Sequence, residues 1–235
     1  MECPACLVSA TGFRSYNQVN MLSIPENRKV QQCISQSGLF GVIFYFLHIV
    51  FGRIFYEGYN PFTQAISDLT ASNSPSKNIA TPLSFIYGNF TVTFSVGFLV
   101  YFKGKINKII SVGSCFFCLM TAISFFGYTL FPLSEAGYAG TLQDKIHIIV
   151  TVLVVLFTII AIILYSIGFL KTDKYKYLGI VSICTFVLLI AGVMLLNILP
   201  KELLGLAERV NVYSIVIYTG ILSFWMNKYL EEVGD

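Results

Sequence analysis

Charge is what this chain has least of. Only 11% of its 235 residues are charged while 56% are apolar, and the mean hydropathy is +0.75. A soluble domain carries roughly 25% charged residues. So few charges cannot cover so much apolar surface in water, so the lipid bilayer is the first partner the sequence implies. The 15 basic and 12 acidic residues are scattered, and no basic run is long enough to bind nucleic acid. Residues Met1–Ser37 lack the basic and apolar stretches of a signal peptide. Also missing are a nucleophile elbow, a phosphate-cradling loop, a His-x-x-x-His pair and a haem-ligand pair, so no cofactor is fixed.

Cysteine is present without a pattern. Cys115, Cys118 and Cys184 lie in apolar runs, where a thiol acts as a small hydrophobe. Cys3 and Cys6 form a Cys-x-x-Cys with no second ligand pair, and Met21 offers an alternative start beyond them. No metal site is expected.

What remains is a succession of apolar runs. Residues 1–37 read as a cytosolic tail, with an interfacial helix near Asn27–Ser37. Residues 38–230 form an all-α, six-helix transmembrane bundle, and 231–235 a short cytosolic tail. The spans lie near Gly38–Glu57, Ile79–Phe102, Lys108–Phe131, Lys145–Leu170, Tyr177–Leu199 and Arg209–Asn227. Each approaches the roughly 20 residues needed to cross a bilayer, and solid apolar runs exclude the alternation of a barrel. If the turns at Lys103–Lys108 and Lys171–Lys176 are cytoplasmic, ten basic residues fall inside and five outside. Both termini are then cytoplasmic, in a multi-pass protein of the cell membrane.

The other three connections are longer and richer in turn signals. In Phe131–His147, Pro132, Gly137 and Gly140 break the helix, and Thr141 stands three residues before Asp144, the spacing of a capping box. Leu142-Gln-Asp-Lys-Ile-His-Ile has an echo in Leu206-Ala-Glu-Arg-Val-Asn-Val, with Asn211 in place of His147. The echo suggests that spans three–four and five–six are parallel hairpin repeats. In Glu57–Asn78, Phe62, Ile66 and Leu69 recur at helical spacing, which predicts a short amphipathic helix on the outer surface.

Three passages carry a resemblance: Tyr59-Asn-Pro-Phe-Thr-Gln-Ala-Ile-Ser-Asp-Leu69, Phe131-Pro-Leu before His147, and Glu208-Arg-Val-Asn211. Together they resemble the six-span prokaryotic membrane family known as domain of unknown function number 998, over about Gly38–Leu230. The resemblance implies a polytopic membrane protein and transfers no catalytic residues.

The candidate site is therefore built from the residues themselves. Asp68, Asp144, His147, Glu208 and Arg209 all fall near outer helix ends. Asp68 and His147 are candidates for acid–base work, a histidine inside an apolar run having no capping role. Asp144 and Glu208 are candidates for ligand binding, but acids that complement a helix dipole and cap its first turn explain their spacing better. Arg53, about 6 Å inside the first span, and Arg209 are candidates for an anionic group, although Arg53 can also snorkel. His48 and Asn89 fall near midplane and are expected to face inward as an intramembrane polar pair. Tyrosines near span ends, Tyr59 and Tyr138 among them, fit the interfacial aromatic belt. The preferred function is binding or modifying a lipid or small amphiphile at the extracytoplasmic face, with catalysis itself left open. The alternatives are a small-solute transporter and a non-catalytic assembly partner, and oligomeric state is not fixed.

Overall fold

Six long helices account for most of residues 27–234, the part of the chain that the computed structural model describes. The Cys3–Cys6 motif, Met21 and most of the N-terminal tail lie outside these residues. The helices are α1 Arg28–Ile54, α2 Lys77–Phe102, α3 Lys108–Leu130, α4 Leu142–Leu170, α5 Lys176–Ile198 and α6 Leu204–Gly234. Their starts follow from side chains that replace missing backbone partners. Asn27 accepts from the Lys29 amide and Asn107 from the Ile110 amide. Thr141 and Asp144 form the reciprocal capping box that their spacing predicts.

Each helix packs on the next in sequence, and α6 returns to α1, so the six close into a ring. Close contact depends on small residues, since lipid supplies no hydrophobic drive between helices. At Gly38 of α1 an added Cβ would sit 2.6 Å from the Ser223 Cβ of α6. There the Ser223 hydroxyl accepts from the Leu39 amide and donates to the Ser35 carbonyl, inserting itself into the backbone ladder of α1.

The two ends of the ring differ. One, the basic end, gathers the start of α1, the α2–α3 and α4–α5 turns and the end of α6. Arg28 there bonds the Glu231 carbonyl, and Lys174 pairs with Glu232. The other, the cap end, carries the three longer connections, which are tied to one another. The Ser72 amide bonds the Leu133 carbonyl and the Leu206 amide bonds that of Phe62.

Several expectations are corrected. Asn27–Ser37 is not a separate interfacial helix, because α1 runs unbroken from Arg28. The helix expected on the outer surface between Glu57 and Asn78 is only a 3-10 turn, Ser67–Thr70, and it is tucked inward. Ile66 and Leu69 are buried while Phe62 is exposed. Leu69 fills the space over Gly52 of α1, which explains why the apolar stripe points into the protein and not toward lipid. α6 starts a full turn before Glu208, so that residue does not open its helix as Asp144 does.

Among the described residues, five helices are long and apolar enough to cross a membrane; α6 is not counted. Its polarity points inward. Arg209, Asn211, Ser214, Thr219 and Ser223 are all buried. An average taken over sequence counts such residues as if lipid had to solvate them.

Candidate functional site

At the cap end the charged residues first act as fasteners. Arg209 is buried, and its Nη1 donates to the carbonyls of Pro61 (2.6 Å), Gln64 (3.0 Å) and Gly205 (2.8 Å). Its Nη2 donates to the Tyr59 hydroxyl at 2.5 Å. A guanidinium fork suits this convergence of acceptors in a way that a lysine could not. Tyr59 is thus no member of an interfacial belt. It lies buried under the loop and also donates to the Ala65 carbonyl at 2.8 Å. Burial pushes its phenol up to about 12, against the opposing charge and hydrogen bond of Arg209.

The acids are equally committed. Asp68 is buried, one oxygen accepting from the Ala65 amide (3.0 Å) and the other from the Gly137 amide (2.9 Å). It pins the α1–α2 connection to the α3–α4 connection. Gly137 has φ +85°, a backbone conformation that L side chains rarely adopt, so the donor's geometry depends on glycine. Asp144 accepts from the Ser134 amide and hydroxyl and from the Thr141 amide, closing the connection on itself. Glu208 accepts the Ile66 amide at 2.9 Å through one oxygen, and its other oxygen has no partner among the described residues.

The histidines are held differently. His147 Nδ1 lies 2.8 Å from the Phe131 carbonyl and His48 Nδ1 lies 2.9 Å from that of Tyr45. A carbonyl only accepts, so Nδ1 carries the hydrogen in both rings. In the neutral ring Nε2 is then an open acceptor. The His147 ring packs on Tyr128 with centroids 4.9 Å apart. His48 and Tyr87 both pack on Tyr45, at 5.3 and 4.8 Å, with Tyr213 at 6.3 Å. The polar lining thus has one group from α1, α2 and α6, with Tyr45, His48, Tyr87 and Tyr213, and a second from α3 and α4, with Tyr128 and His147.

Several of its polar atoms bond no described residue: the hydroxyls of Tyr45, Tyr87 and Tyr213, and Nε2 of both histidines. Yet among the described residues no sealed side-chain nitrogen or oxygen lacks a hydrogen-bond partner. These atoms therefore reach accessible surface. The lining is polar, and its unbonded atoms are not fully sealed although Tyr45, His48 and His147 are buried residues.

Below it the ring is plugged. Phe98 and Phe102 of α2, Tyr165 and Phe169 of α4 and Trp225 of α6 meet across the centre, with Phe102 stacked on Trp225 at 4.9 Å.

The structure does not pair His48 with Asn89. Asn89 is exposed on the outside of α2, where its amide donates to the Phe85 carbonyl of its own helix at 2.9 Å. A side chain bonded within its helix needs no partner across the bundle. Arg53 is exposed at the cap end and pairs with no described residue. The echo residues behave alike in one respect, since Asn211 also donates back to the preceding helix, at the Leu189 carbonyl. No group of three or more potential metal ligands occurs among the described residues.

Sequence reasoning missed the tyrosines of the lining. One signal was available: Tyr45 stands three residues before His48 and so shares its helix face. Tyr87, Tyr128 and Tyr213 carry no such mark, because only the closure of the ring brings them together.

Residues 39–225 match the family described as "Protein of unknown function (DUF998)". The chain belongs to this family. No curated protein and no solved structure matches the chain. The family's shared region runs through all six helices of the ring and includes every residue of the polar lining.

Proposed function

We propose that the protein crosses the cytoplasmic membrane of a prokaryotic cell six times, with both termini inside. In this reading it binds a lipid or small amphiphile through the polar lining at its extracytoplasmic end. The carrying observation is the set of polar atoms left open within an otherwise satisfied interior. Two histidine Nε2 acceptors and a Glu208 oxygen favour a headgroup that donates hydrogen bonds, with hydroxyl or amine groups. The tyrosine hydroxyls can answer its acceptors. Arg53 stands at the rim, where it can meet a phosphate.

Binding is favoured over acid–base chemistry. Both oxygens of Asp144 hold two donors each, and both oxygens of the buried Asp68 hold a backbone amide that fixes a loop, so both acids are engaged in structure. The aromatic plug favours a pocket with one mouth over a transport path. The test is native mass spectrometry of the purified protein. A lipid or amphiphile should be retained, and His48→Phe with Tyr45→Phe should lower retention about tenfold, roughly 1.4 kcal/mol of binding. Equal retention by a well-folded variant would sink the proposal.

A further inference from the structure

The opposite end of the molecule has a groove of its own. Between α5 and α6 at the basic end lies a cavity of about 430 Å³, bordered by Lys174, Lys228 and Glu232 and floored by Tyr175, Trp225 and Tyr229. It adjoins a second, almost wholly apolar groove of about 240 Å³ that runs on between the same two helices, with Ile221 shared by both. One end is thus cationic and aromatic, and the other is apolar and faces the hydrocarbon.

We infer that this groove is a binding site for an anionic diacyl phospholipid, with its phosphate at Lys228 and an acyl chain along Ile221 toward Cys184 and Leu188. Charge complementarity selects this occupant. Lys174 is already paired with Glu232 at 3.2 Å. Of the other acids near it, Asp173 pairs with Lys176 at 2.7 Å, and Glu231 accepts from the neutral Asn227 amide at 3.0 Å. Lys228 pairs with no acid among the described residues, and its ammonium lies 5.0 Å over the exposed Phe224 ring. It is a cation held beside an apolar groove with its charge unspent. Tyr175 and Tyr229 pack against Trp225 at 5.2 and 5.8 Å, which makes a firm aromatic floor beside Lys228. An uncharged amphiphile would leave Lys228 unanswered, and a soluble phosphate would leave the apolar run unfilled.

The test uses the full chain in nanodiscs of mixed phosphatidylglycerol and phosphatidylcholine, with retained lipid read by native mass spectrometry. Wild type should retain phosphatidylglycerol at least threefold over phosphatidylcholine. Lys228→Gln should abolish that preference, while Lys77→Gln at the cap end leaves it intact. Ile221→Trp should reduce retention of both lipids. Glycerol phosphate should not displace the bound lipid. Equal retention of the two lipids, an unchanged preference in Lys228→Gln, or displacement by glycerol phosphate would each overturn the inference. His48→Phe, which tests the cap-end site, should leave this preference unmoved.

Discussion

The cap end and the plugged half of the ring are held together by different physics. Around Trp225 the plug consists of ring faces and edges in contact, and nothing there depends on a hydrogen bond to a charge. At the cap end two acids and an arginine fasten three loops through backbone amides and carbonyls. The difference follows from what each must satisfy. Helices in lipid already bond their own backbones, so they need only shape. Loops arrive with open amides and carbonyls and need charged or polar side chains to answer them.

That contrast can be broken by substitution. Trp225→Ala should have the largest effect, about 3 kcal/mol, because five aromatic neighbours lose a partner and a cavity remains. Trp225→Phe should recover much of it, since size and not polarity matters there. Thermal unfolding in detergent reads both. Arg209→Ala should cost about 2–3 kcal/mol by stranding three carbonyls, and here Arg209→Lys should restore little. If lysine rescued Arg209 fully, the fastening would be charge alone and the comparison would fail.

Asp68→Asn keeps the shape but loses the charge and one of two acceptors, so about 1–2 kcal/mol should go. Hydrogen exchange at the Gly137 amide should rise with it. Thr141→Ala should cost about 1 kcal/mol through the lost cap. Tyr59 contributes a pH effect on the alkaline limb. The folded Tyr59 phenol is raised to about 12, so its contribution is intact below its ordinary value near 10 and is lost as pH rises toward 12. The difference in phenolate absorbance between wild type and Tyr59→Phe should follow that window. Smallest of all, Asn89→Leu should stay within about 0.5 kcal/mol, because the amide bonds only its own helix.

Much of the fold was legible in sequence because lipid imposes a simple rule. Apolar runs of sufficient length become helices, and breaks such as Pro132 to Gly140 become connections. The Thr141–Asp144 box was readable to the residue because capping is local. The polar site was legible only in part. Asp68, His147, Glu208 and Arg209 do gather at one end, but their tasks depend on partners far away in the chain. Arg209 answers Pro61 and Gln64, and Asp68 answers Gly137, contacts that no spacing announces. Asn89 was misjudged because hydropathy gives depth in the membrane and says nothing of which way a helix face turns.

Sequence by itself determined the solvent, the helical class, the positions of the breaks and which connections are basic. Each of these depends on the residues of one segment and the medium around it. Tertiary structure alone decided that α6 turns its polar face inward and that the plug fills one half of the ring. It also decided that His147 packs on Tyr128 of another helix and that Tyr87 and Tyr213 join Tyr45 beside His48. Those outcomes are set by closure of the ring, where a side chain's partner is fixed by packing across the bundle and not by its neighbours along the chain.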